Sequence, residues 1–194
     1  MDLLLQKIRA FAPISDEEGK RLGAWFRHTS YKKNSILLEE GRVAHELFFV
    51  LKGCLRQYFV TENGDERTCN FSFEGDFLTD LESFSRQNRA STNIATLEPT
   101  ECLVITCGDI VPCMSESPAI AAFFSSIVEQ VATANIKRIQ SLLSQTPEQR
   151  WEDILQNRPE ILQRVPQRYI AQFLGIAPES LSRIRKRTLA DAKS

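Results

Sequence analysis

Along the chain the spacing of apolar positions changes twice. From Met1 to about Arg27, Leu4, Leu5 and Ile8, then Leu22, Trp25 and Phe26, recur at helical spacing, and Ser15-Asp16-Glu17-Glu18 supplies a capping start for the second of two helices. From Tyr31 to about Thr106 the period falls to two. Strand-like runs at 35–41, 45–60, 66–78 and 91–106 are divided by Gly41, Gly53, Asn63-Gly64-Asp65, Gly75-Asp76 and Glu98-Pro99. Short strands joined by tight turns predict an antiparallel sandwich or barrel rather than parallel crossovers.

Helical periodicity returns after Cys107, first as a short helix around Asp109–Met114 and then, from Pro118 to Ser144, as one long uninterrupted run. Ile120, Phe124, Ile127, Val131 and Ile139 belong to an apolar surface wider than one stripe, so this helix needs cover on two sides. The β-domain can supply one side. The other meets a second copy, or the interior of a single monomer. Thr146-Pro147-Glu148 caps a further helix through Trp151, Ile154 and Leu155, and Pro159 ends it. Last comes a helix over Gln167–Leu174, Gly175 in a tight turn, and Pro178 opening a second helix. Ile170, Ala171, Leu174, Ile176, Leu181 and Ile184 can pack this pair together, leaving the second helix a polar and basic outer face. The pattern fits a helix-turn-helix that enters a DNA groove, and it also fits a helical hairpin with a solvated basic face.

Charge distribution sharpens that choice. The net charge of −1 argues by itself against a nucleic-acid binder, but residues 146–194 carry nine Lys/Arg against six Asp/Glu. That leaves +3 on the C-terminal segment and −4 on residues 1–145, and between Arg164 and Arg187 six basic residues face only Glu179. The apolar and charged fractions, 42% and 25%, are those of an ordinary soluble protein. No run of eighteen apolar residues is present, so no membrane span is expected, and the N-terminus does not read as a signal peptide. Five cysteines without a CxxC pair predict reduced thiols rather than disulfides or a metal centre.

Several stretches together resemble the Crp/Fnr superfamily of bacterial transcription regulators. Ser35–Gly41 followed by Leu47–Gly53 and Glu74–Leu78 is similar to the glycine-punctuated barrel signature. Ser141–Trp151 is similar to the hinge and the start of the DNA-binding domain, and Val165–Lys186 to the helix-turn-helix, particularly in Bacteroidetes-type members. The resemblance implies an α+β chain with an N-terminal antiparallel β-barrel (a double-stranded β-helix, or jelly roll) and flanking helices at 1–115. A long dimerisation helix would follow at 116–145, and a winged-helix-like helix-turn-helix domain at 146–194. It further implies a cytoplasmic homodimer on a pseudo-palindromic double-stranded DNA site, half-sites about 34 Å apart, with RNA polymerase and a small-molecule effector as further partners. No cofactor is implied. Carried over by position, Glu179, Ser180 and Arg183 face base edges; Arg183 suits guanine and Glu179 a cytosine amino group. Ser182 shares that helix, and Arg168, Arg185, Lys186 and Arg187 suit phosphates. Pro178 stands where some relatives carry a basic base-reading residue, so the target sequence should differ from theirs.

In cyclic-nucleotide-binding relatives a Gly-Glu pair and an Arg-Ser pair hold the ribose and the cyclic phosphate. The matching positions here are Thr79, Asp80, Ala90 and Ser91, with Arg89 one residue early and so on the opposite face of an extended segment. Losing the guanidinium from a buried anion site costs roughly 2–5 kcal/mol, so no cyclic AMP response is expected. The region before Cys54 has no cysteine for an iron–sulfur cluster, and His28 and His45 read as surface or turn residues rather than haem ligands. No catalytic motif is present, which points away from an enzyme. The competing reading is a cyclic-nucleotide or other small-ligand signalling module whose C-terminal domain docks a protein partner. In the regulator, movement of the long helix about a hinge near Gln145–Pro147 would respace the two reading helices.

Overall fold

The middle of the chain folds as its alternation predicts. In the computed structural model, which describes residues 1–191 and their side chains through Thr188, helices α1 (Asp2–Phe11) and α2 (Asp16–Ala24) come first. Strands β1 (Arg27–Tyr31), β2 (Ile36–Leu38), β3 (Glu46–Lys52), β4 (Leu55–Val60), β5 (Glu66–Ser72) and β6 (Phe77–Leu78) follow. Helix α3 (Leu81–Arg86) separates them from β7 (Asn93–Thr96) and β8 (Thr100–Thr106). They form two four-stranded sheets in the orders β1-β8-β3-β6 and β2-β7-β4-β5, with antiparallel register such as Phe48 opposite Val104 and Phe49 opposite Leu103.

The unbroken apolar runs in β3 and β8 have a cause: both faces of this strand pair are covered. Phe48, Val50, Cys102 and Val104 join Leu38, Leu55, Leu78 and Ile94 in one cluster. Phe49, Leu103 and Ile105 point the other way, to Leu4, Ile8, Leu22, Cys113 and Phe123. Each such side chain contributes about 1.5–3 kcal/mol on burial, which makes β3 and β8 the stabilising centre of the N-terminal unit. Gly53, at φ 107°, closes the β3–β4 turn against Thr100, whose backbone leaves no room for a Cβ.

Two elements escape sequence reading. β1, Arg-His-Thr-Ser-Tyr, pairs only with β8 at a sheet edge and is largely exposed, so it shows no apolar alternation. α3 is too short for a periodicity, being one capped turn and a half.

After β8 come α4 (Cys107–Ser115), α5 (Pro118–Ser144), α6 (Pro147–Asn157), α7 (Pro159–Arg164), α8 (Gln167–Leu174) and α9 (Pro178–Asp191). α7 continues the helical run beyond Pro159, where the sequence suggests a stop, because proline is tolerated at a first helical position. Among the described residues no strand follows α8 and α9, so the wing of a winged helix has no counterpart there. The chain divides into two compact units, Met1–Gln57 with Phe71–Ala132, and Tyr58–Asn70 with Thr133–Ser194.

α5 corrects one expectation. Ile120 and Phe124, placed by sequence on a dimer face, are 0% and 5% exposed within the core that holds Phe49 and Leu103, and Ile127 packs against its edge. The free apolar surface begins later, at Val128, Val131, Ile139 and Leu142, which are 37–57% exposed. In length and apolarity α5 also meets the measure for a membrane span that the sequence reading excluded, with a mean hydropathy of 1.3 over eighteen residues. Glu129, Lys137 and Arg138 oppose such a placement, since a charge at mid-bilayer costs about 2.5–3.5 kcal/mol. All five cysteines are free, and burial pushes the Cys102 and Cys113 thiols up to about 12, which makes them poor nucleophiles.

Candidate nucleic-acid interface and effector pocket

The turn between α8 and α9 is built locally. Gly175 adopts the left-handed conformation at φ 72°, and its N–H and that of Ile176 return to carbonyls in the last turn of α8. Buried Ile170, Ala171, Leu174, Leu181 and Ile184 line the shared face of the two helices. Glu179, Ser182, Arg183 and Lys186, at i, i+3, i+4 and i+7, therefore share the outward face of α9, and all four are exposed. Ser180 is half-buried on one flank. Arg187 is exposed there too, but its guanidinium is 2.8 Å from the Glu148 carboxylate of α6. Arg185, expected at phosphates, instead lies on the opposite flank, half-buried, 6.0 Å from the Trp151 ring centroid. Arg168 is exposed at the start of α8, stacked 4.5 Å from the Tyr169 ring and donating to its hydroxyl at 2.7 Å.

One residue that sequence reading missed holds this pair in place. Arg150, 8% exposed, donates through Nε to the Leu174 carbonyl at 3.1 Å and through a terminal nitrogen to the Gln145 carbonyl at 2.5 Å. Its signal was a lone arginine one turn into α6, on the same face as Ile154. Around it, the Gln145 amide donates to Asp153 at 2.8 Å, and Thr146 closes a capping box with Gln149. The Arg138 guanidinium sits 4.0 Å over the Phe173 ring, its pKa lowered to about 10 by burial and then by neighbouring Arg150. The end of α5, the start of α6 and the end of α8 thus form a bonded joint at Gln145–Pro147, where the sequence suggested a hinge. The hairpin Tyr58–Asn70 belongs to the same unit, with the Thr68 hydroxyl donating to Gln172 at 3.0 Å.

Of the candidate effector residues, Asp80 and Ser91 come together in the barrel. Asp80 is 5% exposed and caps α3 by accepting from Ser83 N. The same carboxylate accepts from Ser91 N at 3.1 Å and from the Thr92 hydroxyl at 2.7 Å, with the Ser91 hydroxyl at 3.5 Å. Thr79 donates its hydroxyl to the Glu46 carbonyl at 2.9 Å. Ala90 is buried and brings no charge, while Arg89 is exposed on the bridge opposite Val43. The Ser91 and Thr92 donors are thus turned onto the Asp80 carboxyl group.

Residues 28–117 match the family described as Cyclic nucleotide-binding domain. Among solved structures the chain is similar to the c-di-GMP responsive global regulator CLP of Xanthomonas campestris, at 18% identity and a TM-score of 0.72, covering 92% of this chain and 93% of that one. It is similar to FixK2 from Bradyrhizobium japonicum at 16% identity and a TM-score of 0.72, over 86% of each chain. To the Catabolite Activator Protein of Thermus thermophilus it is 18% identical with a TM-score of 0.59, over 96% of this chain and 88% of that one. At such identities the likeness is one of fold. A similar fold is found in a putative transcriptional regulator of the crp/fnr family from Eubacterium rectale, at 18% identity and a TM-score of 0.69, over 92% of this chain and 85% of that one. No curated protein matches the chain.

Proposed function

We propose, from a cyclic nucleotide-binding domain set in the fold of Crp/Fnr regulators, that this chain is a sequence-specific DNA-binding transcription regulator. It acts in the cytoplasm as a homodimer, upstream of RNA polymerase, and does not respond to cyclic AMP. The observation that carries the reading is the two-faced α9, whose Leu181 and Ile184 are buried while Glu179, Arg183 and Lys186 stand exposed together. An exposed Arg four residues after an exposed Glu suits a guanine and a neighbouring cytosine on the major-groove floor. Ser180 and Ser182 complete the base-facing set, and Lys186, Arg168 and Arg187 suit phosphates, Arg187 after release from Glu148.

Residues 1–115 serve as the effector barrel, 116–145 as the dimer helix and 146–194 as the helix-turn-helix domain, whose last three residues lie outside those described. For the dimer, Val128, Asn135 and Leu142 recur at seven-residue spacing on α5, with Val131 and Ile139 beside them. That is the seam of a two-stranded coiled coil, and a single asparagine within it is the kind of residue that sets register.

Fluorescence anisotropy of the ligand-free protein on DNA from upstream of its own gene, against unrelated competitor DNA, tests the reading. Specific binding that weakens steeply with salt is the expected result. Arg183→Ala should cost roughly 1–3 kcal/mol and relax preference at one base pair while leaving the dimer intact; unchanged operator affinity would remove Arg183 from the reading set. Calorimetry with cyclic AMP should show no binding in the micromolar range, because Asp80 already occupies the Ser91 and Thr92 donors. A micromolar or tighter isotherm would overturn that account of the pocket.

A further inference from the structure

Beyond Glu46 opposite Thr106, the β3–β8 ladder ends in an imidazole facing a thiol. Cys107, the first residue of α4, donates its backbone N–H to the His45 carbonyl at 2.9 Å, and its Sγ lies 4.0 Å from His45 Nδ1. The main chain therefore sets side chains 62 positions apart beside each other. His45 is exposed and Cys107 half-buried, within reach of small reagents. The other four thiols have a different setting. Cys54, Cys102 and Cys113 are buried, and Cys69 is half-buried on strand β5 rather than at a helix start.

A helix N-terminus favours negative charge beside it. The two acids adjoining the pair in sequence are both engaged. Asp109 accepts from the Thr106 hydroxyl at 2.5 Å, and Glu46 is paired with Arg27 at 2.6 Å. A thiol at a helix start, open to solvent and with a ring nitrogen near enough to act as base, has the setting of a nucleophilic cysteine. We infer that Cys107 is a peroxide-reactive thiol, oxidised by hydroperoxides to the sulfenic acid with His45 carrying its proton. Nδ1, as the unprotonated ring nitrogen, takes the thiol proton, and the sulfur attacks the terminal peroxide oxygen. An S–O bond forms as the O–O bond breaks, and the leaving oxygen takes the proton back from the imidazolium. Sulfur is oxidised by two electrons, the peroxide is reduced to water or an alcohol, and His45 returns to its starting form. Cys107 packs at the margin of the core that holds Phe48 and Val104, so the new hydroxyl sets a polar group against apolar neighbours.

The test treats the reduced full chain with hydrogen peroxide in the presence of dimedone, and fragment-ion mass spectrometry locates the trapped sulfenic acid among the five cysteines. Cys107 should carry the mark, at a rate roughly tenfold or more above that of any other cysteine. His45→Gln should lower the Cys107 rate by about tenfold or more, as loss of a positioned base does, and leave the Cys69 rate unchanged. In the parent protein, an unmarked Cys107, or another cysteine marked as fast, overturns the proposal whatever the variant does. An unchanged Cys107 rate in His45→Gln overturns it as well, and so does alkylation of Cys107 by iodoacetamide without oxidation by peroxide. The readout needs no DNA, so it can fail without the DNA-binding reading failing, and the reverse.

Discussion

Replacing Ile139 with aspartate should turn the protein into a monomer and lower its operator affinity by about 10²- to 10⁴-fold. Ile139 is 57% exposed on α5, in the stripe that runs from Val128 to Leu142. In a two-fold dimer each aspartate would face its own copy across an apolar seam, so both the hydrophobic gain and the charge balance are lost. A fully buried aliphatic side chain is worth about 1.5–3 kcal/mol, and the mutation removes one from each copy. The second half-site, held near at millimolar effective concentration only while the dimer persists, then no longer contributes. Light scattering after gel filtration reads the oligomer, and anisotropy reads the DNA. Val111→Asp, at a residue 67% exposed on α4, should change neither. A dimer that survives Ile139→Asp would place the interface on another surface.

Arg150→Met should destabilise the C-terminal unit by about 2–4 kcal/mol. The side chain keeps much of its packing, but the Leu174 and Gln145 carbonyls lose charge-assisted hydrogen bonds worth roughly 1.5–3 kcal/mol each, partly offset by solvent reaching the vacated space. Arg150→Lys should rescue little, because one ammonium cannot reproduce two donors fixed in a planar fork. Urea denaturation followed through Trp151 in a Trp25→Phe background isolates this unit from the barrel. A midpoint within experimental error of the parent would mean that the joint at Gln145–Pro147 draws its stability from the Thr146 cap and the Arg138–Phe173 stack instead.

Both predictions turn on features unequally legible in the chain. The aliphatic run of α5 is plain in the sequence, yet Ile120 and Ile139 look alike there, and only packing separates the one that is enclosed from the one that is free. Arg150 reads as another surface cation until the C-terminus of α8 is brought against it. Arg185 looked as basic and as outward as Arg183, two residues earlier, because a charge count carries no direction. Asp80 read as an eroded ribose contact, and its bonds to Ser91 and Thr92 depend on a loop whose course no local pattern reveals.

What the sequence alone determined was set by neighbours in the chain. Gly175 and Pro178 end one helix and begin the next, Thr146 and Gln149 cap α6, and alternation over residues 35–106 lays out the strands of the sheets, since caps, turns and side-chain faces act over a few residues. What tertiary structure alone decided involves groups far apart in sequence, including which stretch of α5 stays uncovered, Arg150 joining Gln145 to Leu174, and Trp151 buried beneath Arg185. These outcomes depend on burial, and burial belongs to the assembled fold, where desolvation makes each polar group either find a partner or stand without one.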